Sequence, residues 1–267
     1  MDFEKALLRK VGEAVGRFKM IREGDRIAVG VSGGKDSVTL LEALLLLQKR
    51  APIDFTVQAF TVEQGKFLAP VAPIGEYIKS LGVQWTYYKD KASFDLLEEQ
   101  PDHGCDMCSR FRRRAVYQIG KELNCNVIAL GHTADDFCES LFRNIMFTGR
   151  MSALPPVTWS KEGDFRLIRP LVLVNEEITR GFVESKGVTV VPCGCSQKTG
   201  TVRRSIRDTF AEWQQDYPHL QENILGAMGR VDHSRLLDTR YLKLDEPEPE
   251  AEFTVGGSEL LPVLQEA

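Results

Sequence analysis

One short segment combines glycine, lysine and hydroxyl side chains: Ser32, Gly33, Gly34, Lys35, Asp36 and Ser37. Its glycines let backbone amides approach an anion without interference from a Cβ atom. A helix starting directly afterwards adds free N–H groups and the positive end of its dipole. Lys35 supplies a positive charge, and Asp36 fits beside phosphate if Mg²⁺ lies between them. The segment therefore predicts a phosphate-binding loop, hereafter the phosphate loop.

The spacing of the phosphate loop differs from that of a Walker A motif, G-x-x-x-x-G-K-[ST]. The interval from Gly30 to Gly34 is one residue short, and Asp36 follows the lysine. The loop resembles the PP-loop, SGGKDS, of the N-type ATP pyrophosphatase superfamily. That resemblance implies cleavage of ATP between its α and β phosphates and transfer of AMP to a substrate oxygen. An ordinary glycine turn before a helix is the alternative, and six specific residues argue against it.

The cysteines include two closely spaced pairs. Cys105 and Cys108 form a C-x-x-C, and Cys193 and Cys195 form a C-x-C. In a reducing cytoplasm such clusters more often bind metal or do redox work than form disulfides. Four thiolates could hold zinc, whereas three suit a [4Fe–4S] cluster whose open iron binds sulfide or persulfide. The residue types alone do not distinguish a zinc site from an iron–sulfur cluster. The other two cysteines, Cys125 and Cys138, are expected to be buried as small hydrophobic residues.

A second polar turn that contains glycine follows the predicted strand at residues 126–130. We predict that Gly131 and Asp136 complete the nucleotide site. Asp136, or Asp135 beside it, would be a ligand of the metal or nucleotide. Helix capping is the alternative role for these acids, and the two carboxylates could divide both roles. For His132, the sequence is equally consistent with a functional role and with packing of its side chain in the loop.

The predicted elements must bring these turns together. Short apolar runs predict strands at residues 26–31, 55–62, 84–89, 126–130 and 188–191. Helical periodicity predicts helices at residues 3–20, 36–50, 73–81, 109–123, 135–147, 175–186, 200–215 and 218–230. Residues 90–108 are predicted to be a polar connection. The alternation predicts an α/β fold, a doubly wound parallel sheet of five strands with helices on both faces. Ligands bind such sheets beyond the carboxyl ends of the strands. The phosphate loop and the turn after residues 126–130 would therefore line one binding site if the strands that precede them are neighbours.

Five stretches resemble the TtcA family, the tRNA 2-thiocytidine synthetases. They are residues 31–37, 105–113, 128–136, 151–156 and 191–197. The resemblance implies an adenine nucleotide alpha-hydrolase-like fold, ATP with Mg²⁺, and a [4Fe–4S] cluster held by three cysteines. It implies sulfur from a cysteine desulfurase and 2-thiocytidine at position 32 of the tRNA anticodon loop. A homodimer is also expected, since the family is often dimeric.

The cluster ligands follow from the same resemblance. In the family, the third ligand is the first cysteine of a second C-x-x-C that follows a proline. Cys193 follows a proline here, so Cys105, Cys108 and Cys193 are the predicted ligands. This chain has C-G-C instead of C-x-x-C, which leaves Cys195 as an alternative third ligand.

Adenylation would turn the C2 oxygen of cytosine, a poor leaving group, into AMP, a good one. The phosphate loop, Lys35 and Mg²⁺ would stabilise the departing pyrophosphate. By position, Arg112 matches a basic residue of related thiolases that acts in catalysis or contacts ATP. The predicted catalytic residues are therefore Asp36, Arg112 and Asp136.

Arginines follow both cysteine pairs. Arg110, Arg113, Arg114, Arg203, Arg204 and Arg207 are predicted to bind the tRNA backbone, because arginine suits phosphate contacts. A solvated helix face is the alternative. The formal net charge of −4 includes seven acids at residues 244–267, so residues 1–243 carry +3.

Four segments are predicted along the chain. Residues 1–22 form an amphipathic helix, 23–192 the ATP-binding catalytic domain, and 193–243 a helical segment with the third cluster ligand. Residues 244–267 form an acidic tail, predicted to be disordered. No apolar run reaches the roughly 20 residues that span a bilayer, and the N-terminus lacks a signal-peptide core. A cytoplasmic protein without a membrane partner is expected.

Two other functions stay open. One is a PP-loop thiolase or adenylating ligase acting on another tRNA base or substrate, with the cysteines binding zinc. The other is a non-catalytic redox or nucleotide-sensing module, against which the intact phosphate loop argues.

Overall fold

The computed structural model describes residues 2–100, 105–161, 163–188, 190–191 and 202–242. Within these ranges, the side chains of Cys105, Asp106 and Arg203 are not described. The chain divides into two compact units between Leu225 and Gly226. The boundaries predicted at residues 22, 192 and 243 stay predictions.

Helices and strands alternate along the first unit. The described helices are α1 Phe3–Arg17, α2 Lys35–Gln48, α3 Ala72–Ser80, α4 Lys91–Glu99, α5 Cys105–Glu122, α6 Ala134–Thr148, α7 Glu176–Lys186, α8 Val202–Asp216 and α9 Leu220–Met228. The described strands are β1 Asp25–Gly30, β2 Phe55–Glu63, β3 Trp85–Lys89, β4 Val127–Ala129, β5 Val157–Trp159 and β6 Arg166–Ile168. In the described part of the chain, no helix is long and apolar enough to span a membrane.

The strands form one sheet in the order β3-β2-β1-β4-β6-β5. All neighbouring pairs are parallel except β5 with β6. Chain order reverses at β1, which lies between β2 and β4. The predicted α/β class with a mainly parallel sheet is confirmed, and the crevice for ligands is expected at the carboxyl ends of β1 and β4.

Three details of the predicted elements are wrong. The described sheet has six strands rather than five, and residues 188, 190 and 191 are not in a strand. Val191 is buried because it lies against the phosphate loop, where its amide donates to the Gly33 carbonyl at 3.0 Å. Residues 90–108 are not simply a loop, since they contain α4 and the first turn of α5.

Helices cover both faces of the sheet. On one face, a buried cluster joins α5 to the strands and includes Ala28, Val116 and Ile128. Side chains alternate between faces along a strand, so Ile27 and Val29 point to the opposite face, where they are also fully buried. Parallel sheets require such cover on both faces.

The outer helices pack closely on each other. α1 contacts α2 and α7. The Phe3 ring lies so near Gly181 of α7 that a Cβ there would come within 2.4 Å of it. A second buried cluster joins α6 to α8 and includes Cys138, Ile206 and Phe210. Burial raises the pKa of the Cys138 thiol to about 12, which suits the predicted role as a small hydrophobic residue.

The second unit begins within α9. Its described residues end that helix and form a short 3-10 helix, His233–Arg235. The His233 and Tyr241 rings lie 4.5 Å apart between centroids. Arg240 pairs with Asp238 at 2.6 Å, an exposed ion pair that contributes little to stability.

Candidate active site

The phosphate loop joins β1 to α2 and closes on itself through serine hydroxyls. The Ser37 hydroxyl donates to the Gly34 carbonyl at 2.8 Å and accepts from the Ser32 amide at 3.1 Å. Gly33 has φ of 79°, a left-handed conformation that favours glycine. The loop thus presents backbone amides at the N-terminus of α2, the arrangement that binds phosphate.

The turn after β4 lies directly against the phosphate loop, because β4 pairs with β1. A Cβ on Gly131 would lie 3.1 Å from the carbonyl carbon and oxygen of Asp36 and from the amide nitrogen of Ser37. Those neighbours are backbone atoms, which cannot rotate away as a side chain can. The close approach explains the need for glycine at position 131, and the two glycine turns meet at one crevice.

Gly131→Ala is expected to weaken ATP binding about 10-fold, since the neighbouring backbone must shift by a few tenths of an ångström and a misplacement of about 1 Å costs about 10²-fold. The added methyl group would push the backbone of Asp36 and Ser37 out of position. Titration calorimetry with a non-hydrolysable ATP analogue measures the change. Gly12→Ala is the control, because a Cβ on Gly12 in α1 meets no atom within 4 Å. Unchanged affinity in folded Gly131→Ala would contradict the close approach.

The side chains of the phosphate loop are held by α7. Lys35 Nζ lies 3.0 Å from each Asp36 carboxylate oxygen and 3.3 Å from Glu176 Oε2. The Thr179 hydroxyl donates to Asp36 Oδ1 at 2.7 Å. Sequence reasoning missed Glu176 and Thr179. The available signal was the predicted start of a helix at residue 175, which places both in the first turn of α7.

Arg207 of α8 joins the same group of charges. Its guanidinium lies 3.1 Å from Glu139, 3.2 Å from Glu176 and 3.9 Å from Asp136. Burial disfavours the charged form, but the neighbouring carboxylates outweigh burial and raise the pKa of Arg207. The tRNA contact predicted for Arg207 stays a prediction. These ion pairs favour a different role, in which Arg207 neutralises carboxylates at the nucleotide site.

The adjacent acids of α6 have different partners. Asp136 closes a capping box by accepting from the Thr133 amide at 3.0 Å. Asp135 accepts from the Glu176 amide at 2.8 Å and so joins α6 to α7. Burial raises the pKa of Asp135. Because Asp135 is committed to the start of α7 and Asp136 also faces Arg207, Asp136 is the better placed of the two to meet a ligand.

Carboxylates outnumber cations beside the phosphate loop. The carboxylates are Asp36, Asp136, Glu139 and Glu176, and the cations described with them are Lys35 and Arg207. ATP adds further negative charge, so a divalent cation with oxygen ligands fits this site. Within the described ranges, no three His, Cys, Asp or Glu side chains converge as a formed metal site. Mg²⁺ commonly takes one or two carboxylates and completes its coordination with substrate phosphates and water.

The first cysteine pair opens α5. Cys105 and Cys108 are three residues apart and belong to the same helical turn. Cys108 is half-buried, and its Sγ lies 2.6 Å from Lys66 Nζ. This juxtaposition of thiol and cation suits a thiolate that ligates a metal.

The second cysteine pair follows a segment that contacts the phosphate loop. Cys193 and Cys195 lie outside the described residues, and so does the side chain of Cys105. Val191, two positions before Cys193, donates its amide to the Gly33 carbonyl at 3.0 Å. The second cysteine pair therefore begins two positions after a residue that is hydrogen-bonded to the phosphate loop.

The loop after β2 holds the predicted catalytic arginine. Arg112 Nε donates to Gln64 Oε1 at 3.0 Å, and Gln64 Nε2 donates to Ser93 Oγ at 2.9 Å. The Ser93 hydroxyl donates in turn to Asp90, whose carboxylate is buried. Arg114 also donates to Asp90, at 3.1 Å. Sequence reasoning gave Gln64 no role, and its place directly after a predicted strand was the available signal.

The other predicted tRNA-binding arginines lie on helix surfaces. Arg110, Arg113 and Arg114 are exposed on α5, and Arg204 is exposed on α8. Arg204 also pairs with Asp208 one turn later, at 3.5 Å. The side chain of Arg203 lies outside the described residues. Exposure leaves these side chains accessible to a partner, and tRNA binding by them stays a prediction.

Known proteins resemble this chain in sequence and in fold. Residues 4–212 match the family of the PP-loop domain. The chain is 37% identical over 273 residues to a tRNA-cytidine(32) 2-sulfurtransferase of Deinococcus radiodurans, covering 95% of this chain and 91% of that relative. It is also 37% identical over 258 residues to an Escherichia coli enzyme of the same name, covering 95% of this chain and 83% of the relative.

A solved structure shares the fold. It is the U34-tRNA thiolase NcsA of Methanococcus maripaludis with its [4Fe-4S] cluster. The two superpose with a TM-score of 0.67 and 21% sequence identity, covering 86% of this chain and 80% of NcsA. The resemblance inferred from the five sequence stretches is confirmed. With a PP-loop domain over most of its length and relatives of this identity and coverage, the chain belongs to the tRNA-cytidine(32) 2-sulfurtransferase family.

Proposed function

We propose that this chain thiolates tRNA, converting cytidine 32 of the anticodon loop to 2-thiocytidine with ATP. The relatives from Deinococcus radiodurans and Escherichia coli are named for that reaction. The structural observation that supports the proposal is that the loops after two neighbouring strands carry the phosphate loop and the contacts to Cys108 and Arg112. The phosphate loop follows β1, and the loop after neighbouring β2 contacts both Cys108 and Arg112.

In the first step, the C2 oxygen of cytosine bonds to the α-phosphorus of ATP as pyrophosphate leaves. Backbone amides of the phosphate loop bind the phosphates, and Lys35 stabilises the charge that develops on pyrophosphate. Asp36, fixed by Thr179 at 2.7 Å, is the proposed ligand that ties a metal to the phosphates. Mg²⁺, when bound, would neutralise part of the phosphate charge. Asp136 is the proposed second carboxylate of this site.

In the second step, a C–S bond forms at C2 as the C–O bond to AMP breaks. Arg112 follows Cys108 by one helical turn and donates to Gln64, and its guanidinium is the proposed group that stabilises the departing AMP. Cys105, Cys108 and Cys193, or Cys195 in place of Cys193, would hold a [4Fe–4S] cluster, which when bound supplies an iron that carries sulfur. The donor set fits such a cluster by its chemistry, because cysteine thiolates are the usual ligands of iron–sulfur clusters. Of these four cysteines the structure describes the side chain of Cys108, whose Sγ lies 2.6 Å from Lys66 Nζ.

The partners follow from the reaction. The exposed arginines Arg110, Arg113 and Arg114, with Arg203 and Arg204, are the proposed contacts of the tRNA backbone. A cysteine desulfurase is the proposed source of sulfur, and a cytoplasmic homodimer the proposed state.

The reaction is testable with purified chain reconstituted anaerobically with iron and sulfide. With ATP, Mg²⁺, sulfide and an unmodified tRNA bearing C32, we expect 2-thiocytidine in the digested tRNA by nucleoside mass spectrometry. AMP and pyrophosphate should form in step with it. Cys108→Ser should give no thionucleoside, because one of three cluster ligands is lost. The control substrate is the same tRNA with uridine at position 32.

The alternatives give different results. A chain that binds zinc and no iron, yet forms AMP, would favour an adenylating ligase. A thionucleoside other than 2-thiocytidine would favour a thiolase for another base. ATP binding without pyrophosphate release in the presence of tRNA would favour a nucleotide-sensing module.

A further inference from the structure

Lys66 has no role in the reaction derived above, yet its amine meets a predicted cluster ligand. Its Nζ lies 2.6 Å from Cys108 Sγ, although 42 positions separate the two residues in sequence. Lys66 is half-buried in the loop that follows β2, and Cys108 lies in the first turn of α5. The contact therefore depends on how this loop and the helix are placed.

The residue before Lys66 has two close neighbours. The Gly65 amide donates to Glu63 Oε1 at 2.6 Å, and Gly65 has φ of 75°. A Cβ at Gly65 would lie 2.8 Å from Leu97 Cδ1 of α4. These contacts hold the backbone at the residue directly before Lys66.

The same loop contacts α5 at a second point, one helical turn further on. Gln64, which is 6% exposed, accepts from Arg112 Nε at 3.0 Å. Lys66 and Gln64 thus contact α5 at Cys108 and at Arg112, respectively, and both of these are predicted functional residues. A cation beside a cysteine sulfur is typical of the electropositive surroundings in which cysteines act as metal ligands.

We propose that Lys66 is a positioning residue for the iron–sulfur site, whose ammonium donates an N–H···S hydrogen bond to the Cys108 thiolate. This inference rests on the proposed function. Reduction adds negative charge to a cluster and its thiolates, and a fixed cation with a hydrogen bond to sulfur stabilises that reduced state. Lys66 therefore raises the reduction potential of the cluster and holds Cys108 in place as a ligand.

The test compares Lys66→Met with Lys66→Arg and with Lys91→Met in reconstituted full-length chain. Lys91 is a matched control, because it loses the same charge from a side chain that is 87% exposed and paired with Asp95. Iron content and a redox titration followed by electron paramagnetic resonance are the measurements. At the wild-type midpoint potential, Lys66→Met should show about a tenfold lower ratio of reduced to oxidised cluster, a negative shift of about 59 mV for one electron.

The midpoint potential should shift less in Lys66→Arg, since arginine keeps the charge and a donor. Lys91→Met should have the wild-type midpoint potential. Folded Lys66→Met that binds less iron than Lys91→Met would also support the positioning role. Wild-type potential and iron content in Lys66→Met would overturn this inference alone. A wild-type chain that takes up no iron would overturn the proposed function together with the inference.

Discussion

Lys35→Met is expected to slow ATP-dependent AMP formation on tRNA by about 10²- to 10³-fold, the usual cost of one group that stabilises transition-state charge. Lys35 lies at the N-terminus of α2, where bound phosphate would meet it. Its removal also leaves Asp36 and Glu176 without the ammonium that contacts both, at 3.0 and 3.3 Å. Uncompensated carboxylates would then repel the incoming triphosphate. Chromatographic assay of AMP in the presence of tRNA measures the effect.

Lys49→Met is the matched control for Lys35→Met, because Lys49 is exposed at the other end of α2. It should keep wild-type rates. Lys35→Arg should recover part of the activity, since it restores the charge but not the compact ammonium. Circular dichroism should show the same fold in all three variants. AMP formation within about threefold of wild type in Lys35→Met, far short of the usual cost, would exclude a role for this lysine in catalysis.

The phosphate loop was predictable because its chemistry is local. Glycines, a lysine and a helix start within six residues determine an anion site almost without tertiary contacts. The placement of Gly131 beside it was also predictable, given that polar turns after parallel strands meet at one edge. The sequence could not show that Gly131 contacts backbone atoms at 3.1 Å, which depends on the pairing of β1 with β4.

The residues that support the site were not predictable, because they come from distant elements. Thr179 and Asp36 are 143 positions apart, and Lys66 and Cys108 are 42 apart. No local pattern in the sequence links such pairs. Hydrogen bonds between them depend on helix packing, above all of α7 on α2. The apolar run at residues 188–191 resembled a strand for the same reason, because the burial of Val191 comes from a distant element. Val191 packs against the phosphate loop and is not part of the sheet.

The short strands of the sheet edge were missed for a different reason. β5 and β6 have three residues each, too few for an alternating pattern to be distinguished from a loop. β6 also contains Arg166, a charged residue where a buried strand is expected to be apolar. Its burial is possible because a carboxylate from β1 meets it inside the fold.

The largest loss of stability is expected from Asp25→Ala, about 3–5 kcal/mol in the free energy of unfolding. Asp25 begins β1 and is 2% exposed, and its partner Arg166 is 4% exposed. The carboxylate accepts from the Arg166 guanidinium, from the Arg22 amide at 2.7 Å and from the Asn126 side chain at 2.9 Å. The substitution would leave a guanidinium buried without its counter-charge, which is far more costly than losing an exposed pair.

Urea unfolding of three variants separates this cause from simple loss of contacts. The double variant Asp25→Ala with Arg166→Met should recover part of the stability, since an apolar pair avoids the unpaired buried charge. Asp95→Ala breaks the exposed pair with Lys91 and should leave the free energy of unfolding close to that of wild type. A double variant less stable than Asp25→Ala would mean that the hydrogen bonds of Arg166, rather than its charge, dominate.

The position of this ion pair also separates stability from function. Asp25 lies at the amino end of β1, whereas the phosphate loop follows the carboxyl end of the same strand. Molecules of Asp25→Ala that remain folded should therefore bind ATP with wild-type affinity, since the amides of residues 33–37 and Lys35 keep their places. Reduced ATP affinity in the folded fraction, measured at a urea concentration well below the transition, would instead mean that β1 transmits a shift along its six residues into the phosphate loop.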